Sequence, residues 1–463
     1  MELKAPSAAT SAVPAAAETN EWFVFPKTLY FVFNLMNYCL HTFQNQFIEA
    51  KWSLSMKSIA FANTLQFTSF LGSLFWTWFA DRTGRFKTIV SIGCTMYGAL
   101  WGTLFLNHRF AVTEQERLFL VCSVLALTGF FQASLFPIFD AVVIAMISRT
   151  GKFSKELFGR QRFWGAFGHY ASTFVSDQLT THFKGYGALV FLLASSCGTL
   201  LMLILFGIPN DLKLEVGHGH HHAPPPKKDG EAAAAATAVP VVAEAAQKKK
   251  TPFMQLLSTP AFLFFLLFML ISGITRSFMT NYQNYYVHKK FDRAGLLTVL
   301  ATVRFFSEGA VYFFNQDLGK FLGYHWMLIL SQVAAAARSI GYGVVGSIDG
   351  CDQGDFYLFC IPLELLKGLN SGLVTAGAVR IASDLAPAGG ASTAQGLFSG
   401  VFIGLSMFFG GLLSWAIFPA EGNIEGMIAI GFNATGVGLL VFTLLFTLKY
   451  AMVDKVILNG KKN

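Results

Sequence analysis

The chain has 463 residues, 54% of them hydrophobic and only 13% charged, with 49 Phe. A soluble domain is usually about one quarter charged, so ordinary soluble architectures are excluded. The formal charge of +8 comes from Lys and Arg in loops between apolar runs, which membrane topology explains without nucleic acid.

Residues 1–27 are rich in Ala, Ser, Thr and Pro and lack the apolar core of a cleaved signal peptide. They are expected to form a cytoplasmic tail, with the first spanning helix serving as the insertion signal. A spanning helix needs about 20 mostly apolar residues. On that rule the chain holds twelve segments. Segments 1 to 6 are predicted at 28–48, 56–80, 87–107, 118–147, 161–182 and 187–208. Segments 7 to 12 are predicted at 259–287, 295–315, 325–346, 356–382, 393–418 and 426–451. Open sheet cannot satisfy its backbone in lipid, and period-2 alternation is absent, so the segments are read as helices.

Residues 210–252 interrupt this pattern. They are rich in Pro, Ala, Lys and His and hold no Trp or Tyr, so they cannot bury a core and are read as a linker. The expected organisation is a six-helix bundle over 28–209, the linker, a second bundle over 253–452 and a tail over 453–463. Lys and Arg concentrate on the linker side: Arg82, Arg85 and Lys87, then Arg149 to Arg160, then the linker and the tails. The apolar segments make this an integral membrane protein, expected in the plasma membrane, and the basic bias predicts that both termini and the linker are cytoplasmic. The six Cys show neither metal spacing nor a disulfide framework. His218, His220, His221 and His222 are read as part of a polar tract, since no Cys or carboxylate cluster completes a metal site. No cofactor is expected.

Ionisable groups within spanning helices are expensive and point to function. Asp140 lies in segment 4, Arg162 and Asp177 in segment 5, Arg276 in segment 7 and Arg338 in segment 9. Arg304 and Glu308 are one turn apart in segment 8 and are expected to pair on one face. Segment 10 holds Glu364 and Lys367, then Arg380 and Asp384. Segment 1 carries Asn34, Asn37, His41 and Gln44 at steps of three and four, a polar stripe on one face. Arg276, Thr280 and Gln283 form a similar stripe on segment 7. Such faces look into a cavity or into a packed polar contact. Gly396, Gly400 and Gly404 in segment 11 are read as a packing surface.

Four stretches carry a resemblance. Asp81, Arg82, Gly84 and Arg85, in the run 81–87, resemble the loop motif of the major facilitator superfamily, with Thr77 in place of its leading Gly. Pro137 to Ala141 followed by Phe158 to Gly168 is similar to the lactose permease and nucleoside:proton symporter branch. Ala337 to Gly341 with Leu363 to Gly368, and Asp384 to Pro387 with Thr393 to Gly396, resemble segments 9 to 11 of that branch. The resemblance implies an all-α membrane protein of twelve transmembrane helices in two six-helix bundles, the major facilitator fold.

It also implies roles. Asp140 and Arg162 fall on the branch's sugar-binding pair, and His169 on the aromatic where that sugar stacks. Arg338 falls on an Arg that assists deprotonation, Lys367 where a His is usual, and Asn370 on a proton-carrying Glu. Glu308 falls on another coupling carboxylate. The implied activity is proton-coupled symport of a sugar- or nucleoside-like solute in the lipid bilayer. Asn34, Asn37, His41 and Arg276 are further candidate solute contacts, and Glu364 a further coupling group. A uniporter or exchanger of the same fold is the alternative within transport, and a non-transporting solute receptor the alternative outside it. No P-loop, metal-ligand set or nucleophile motif suggests an enzyme.

Overall fold

The computed structural model describes residues 24–106, 113–133, 135–149, 155–209, 252–291, 295–348, 353–387, 391–419 and 422–453. The linker histidines therefore lie outside the described residues. Each of the twelve apolar segments is helical, and no strand occurs among the described residues.

Segment 1 consists of Val24–Tyr38, a 3-10 turn at His41–Phe43 and a second helix at Gln44–Trp52. This corrects the single polar face expected there. The break resets the helical phase, so Asn34 and Asn37 precede it, His41 lies in it and Gln44 follows it. Segment 2 is also divided, into Met56–Thr64 and Thr68–Thr83. Segment 4 comprises Glu114–Gln132 and Leu135–Ser148; Thr113 opens it with a reciprocal capping box to Glu116. Segments 3 and 5 are Phe86–Leu106 and Lys155–His182, and segment 6 is built on Leu189–Met202. In the second half, segments 7 to 10 are Pro260–Phe291, Leu296–Leu322, Tyr324–Gly346 and Gln353–Asp384. Segment 11 joins Ala391–Ser399 to Ser406–Ile417 through a π-helical stretch at Gly400–Leu405, and segment 12 is Ile424–Leu448.

Nine of these segments are long and apolar enough, among the described residues, to cross a bilayer unaided. Segments 1 and 2 are broken. Segment 5 is continuous, but Arg160, Arg162, His169 and Asp177 dilute its apolar character. These three depend on neighbouring helices to shield their polar groups.

Helices in lipid gain little hydrophobic drive by associating, so close packing and hydrogen bonds carry the load. Segment 11 approaches segment 2 closely. A Cβ at Gly404 would meet the backbone nitrogen of Phe70 at 2.7 Å, and one at Gly411 would meet that of Thr64 at 2.8 Å. Segments 5 and 8 meet through rings instead: Phe305 packs on Phe163, Phe167 and Tyr170 at 5.5–5.6 Å.

The halves are tied together at the end remote from the linker. Asn45 donates to the carbonyl of Asn281 (2.5 Å) and Asn284 to that of Thr42 (3.2 Å). Glu49 accepts from the Tyr285 hydroxyl (3.1 Å) and lies 3.6 Å from Lys289. Asp177 of segment 5 accepts from the Thr298 hydroxyl (2.6 Å) and backbone N–H (3.2 Å). It thus caps segment 8 across the interface, where the helix dipole and unsatisfied N–H groups favour an anion. The Glu49–Lys289 pair is part-exposed and contributes about 0–1 kcal/mol. The Asp177 cap is the stronger tie.

Combining Glu49→Gln with Asp177→Asn should loosen this end. Spin labels at Ser53 and Glu425 should then show an added longer-distance population by double electron–electron resonance. An unchanged distribution would mean that packing of segments 2 and 11 closes the end alone.

Candidate functional site

Segment 10 brings Glu364 to the middle of the second bundle, two residues after Pro362 interrupts its hydrogen-bond ladder. Its carboxylate is fully buried. Arg304 of segment 8 donates to Oε2 from Nε (2.9 Å) and Nη2 (2.6 Å). Arg338 of segment 9 donates to Oε1 from Nε (3.2 Å) and Nη2 (2.8 Å). Gln283 of segment 7 and the Tyr342 hydroxyl each add a bond to Oε1 at 2.8 Å. Arg338 also donates to the Gln283 carbonyl oxygen. A buried carboxylate is tolerated when its lone pairs are filled and its charge is matched, and both hold here.

This corrects the pairing expected within segment 8. Arg304 does not pair with Glu308 on its own helix; it reaches across to Glu364. Sequence spacing favours neighbours one turn apart, but a fully buried carboxylate outcompetes a part-exposed one for a guanidinium.

The first bundle holds a looser arrangement. Arg162 Nη2 lies 3.5 Å from Asp140 Oδ2, and the two side chains keep 31% and 26% of their exposure. The Tyr30 hydroxyl donates to Asp140 Oδ1 at 2.5 Å. Neither charge had an opposite partner on its own helix, and the fold supplies it from the adjacent one. This pair keeps part of its exposure, whereas in the Glu364 hub Arg304 and Arg338 keep 9% and 7% and Glu364 none.

The remaining candidates gather between these two pairs. His169 stacks on Tyr38, with ring centroids 3.7 Å apart and planes 17° apart, and His41 lies 5.6 Å from Tyr38. Arg276, Arg304 and Lys367 are within electrostatic reach of His41. Glu308 interacts with Lys367, Arg304, Arg162 and the Tyr312 hydroxyl one turn on. The guanidinium of Arg276 lies over the Phe402 ring at 5.1 Å, and its Nε and Nη2 have no hydrogen-bond partner among the described residues.

Asn34 and Asn37 do not join this group. Asn34 Nδ2 donates to the Tyr30 carbonyl (2.9 Å) and packs against Gly165. Asn37 accepts from Gln132 at 2.5 Å. Both amides are buried; Asn34 bonds within its own helix, and Asn37 bonds to a neighbouring segment, as Gln44 does with Asn63 at 3.2 Å. Asn370, aligned by resemblance with a proton-carrying Glu, donates to the Ser331 carbonyl at 2.8 Å. In the loop motif, Gly84 ends segment 2 at φ +66°, its N–H bonding the Ala80 carbonyl at 2.8 Å. Arg82 lies over the Trp78 ring at 5.5 Å, Arg85 is exposed, and the Asp81 side chain lies outside the described residues.

Tyr30, Tyr38, Tyr312 and Tyr342 escaped the sequence reading because tyrosine blends into an apolar helix. A signal was present. Tyr342 is one turn from Arg338, Tyr312 one turn from Glu308, and Tyr30 and Tyr38 flank Asn34 by one turn each.

Similar folds occur in solved structures. A point mutant of the nucleoside transporter NupG is 13% identical with a TM-score of 0.69, over 91% of this chain and 99% of that one. An auto-inhibited POT family peptide transporter is 13% identical with a TM-score of 0.64, over 93% of this chain and 96% of that one. These likenesses show that the chain shares the fold of those structures. No curated protein matches. The chain matches the family described as MFS_1 like over residues 25–425, and it belongs to that family. It is an integral membrane transporter and not an enzyme.

Removing one partner of a buried ion pair costs about 3–5 kcal/mol. Glu364→Gln strands two guanidinium groups, so the purified variant should unfold several degrees below wild type. Asp140→Asn, at a part-exposed pair, should leave the unfolding temperature nearly unchanged. Equal shifts for the two variants would refute the distinction between a locked hub and an open pair.

Proposed function

We propose that this chain is a proton-coupled symporter of a small hydroxylated solute, sugar- or nucleoside-like, working by alternating access. The observation that carries the proposal is the part-exposed Asp140–Arg162 pair, hydrogen-bonded by Tyr30 and set beside a stacked Tyr38–His169 surface. A carboxylate and a guanidinium fork held this way can together bond vicinal hydroxyls. Opening a 3.5 Å contact for a solute sacrifices little. Binding at the interface of two bundles fits rocking of one half against the other.

Glu308 is the proposed proton carrier. Glu364 already receives two arginines, so protonating it would break the hub. Glu308 has no such partner set and faces the same space as Arg162. Arg338 and Lys367 act by setting the field around it. The linker and both termini are proposed to face the cytoplasm, at the plasma membrane.

A uniporter is the second reading, favoured by Asn370, which cannot titrate and serves as a helix-to-helix bond. Glu308→Gln separates the two. In proteoliposomes the variant should lose pH-driven uphill accumulation while keeping solute exchange. Wild-type uptake that ignores a pH gradient would remove the symporter and leave the uniporter. Asp140→Asn and Arg162→Lys should each abolish solute binding, since a point charge cannot replace a two-pronged donor.

A further inference from the structure

The central group holds more positive than negative side chains. Its cations are Arg162, Arg276, Arg304, Arg338 and Lys367; its carboxylates are Asp140, Glu308 and Glu364. Their pairing is uneven. Glu364 takes both Arg304 and Arg338, and Asp140 takes Arg162. Among the described residues, Arg276 has Nε and Nη2 buried and without a hydrogen-bond partner, its guanidinium lying over the Phe402 ring. Lys367 has no carboxylate at ion-pair distance among the described residues. Arg276 is part-buried with no carboxylate near it among the described residues and gains only the attraction of a ring face, while Glu308 and Glu364 reach Lys367 only from beyond ion-pair distance. His41 and His169 share this space and offer no negative charge.

An oxyanion would complete the arrangement. A guanidinium presents two parallel donors that match a carboxylate or phosphate, and an ammonium adds a point charge. We propose that Arg276 and Lys367 form an anion subsite, so that the transported solute carries a carboxylate or phosphate group beside its hydroxyls. The hydroxylated body would lie on Asp140 and Arg162, and the charged group against segments 7 and 10. This rests on the solute site proposed above and narrows its substrate class from neutral sugars and nucleosides to their acidic or phosphorylated forms.

The subsite is tested first without transport. Inorganic phosphate and sulfate, each compared with chloride at matched ionic strength, should raise the thermal unfolding temperature of the purified wild-type protein by several degrees. Arg276→Gln and Lys367→Met should each lose that rise while still eluting as single species on size exclusion. Arg276→Lys, which keeps the charge without the fork, should keep part of it and guards against misfolding of the Gln variant. No rise in wild type, or a rise retained in both Arg276→Gln and Lys367→Met, would overturn the subsite. Proteoliposome uptake then compares matched pairs: glucose with glucuronate and with glucose 6-phosphate, uridine with uridine monophosphate. An anionic member should be favoured at least tenfold, and whether glucuronate or the phosphates win identifies the group. Uptake of neutral members equal to or above their anionic partners would overturn the anion proposal and leave the transporter reading intact. Anion stabilisation without uptake driven by a pH gradient would do the reverse.

Discussion

A carboxylate cannot stay charged inside a membrane protein unless its surroundings supply both countercharge and hydrogen bonds. Glu364 meets that demand by drawing on three neighbouring helices: Gln283 from segment 7, Arg304 from segment 8, and Arg338 with Tyr342 from segment 9. The four segments cannot separate without stranding a buried charge. The middle of the second bundle is therefore built as one rigid piece around a single oxygen pair.

The first bundle is held differently. Ser172 and Ser176 of segment 5 donate to the carbonyls of Leu35 and Cys39 at 2.9 and 2.8 Å, and Tyr97 donates to that of Asn37 at 3.0 Å. Trp76 bonds the Phe130 carbonyl across segments 2 and 4 at 3.1 Å. These neutral bonds to free backbone lone pairs hold helices without using the ionisable side chains. Asp140 and Arg162 stay part-exposed beside them. Motion between the halves then meets two kinds of contact. The ring faces around Phe305 have no directional bonds and tolerate sliding, whereas the Asp177 cap on segment 8 must be broken outright.

The fold was largely legible from hydropathy, because the bilayer sets segment length and removes most alternatives to helix. The residues of the central group were legible for the same reason: charge in an apolar run is conspicuous. Their pairing was not. Period-based reasoning joined Arg304 to Glu308 and Asn34 to His41, since it sees one helix at a time. It could not know that Glu364 would be a fully buried carboxylate, or that segment 1 breaks between Tyr38 and His41. Asn370 illustrates a further limit. Its residue type announces the lack of a titrating group, but its bond to the Ser331 carbonyl becomes visible only when segments 9 and 10 are docked.

Four of the basic residues on the side opposite the linker have local partners. Lys51 donates to the Phe105 carbonyl at 2.6 Å and Arg117 to that of Trp52 at 3.1 Å. Lys290 reaches the carbonyls of Val345 and Ile348 at 2.8 and 3.0 Å. Each places a cation on carbonyls at or just beyond a helix C-terminus, where unsatisfied oxygens and the helix dipole favour it. Lys57 lies over the Trp415 ring at 5.8 Å, across the interface of the halves. These charges are tied to specific partners. The bias that orients membrane helices rests on basic residues near the segment ends, and on the linker side these form the larger group.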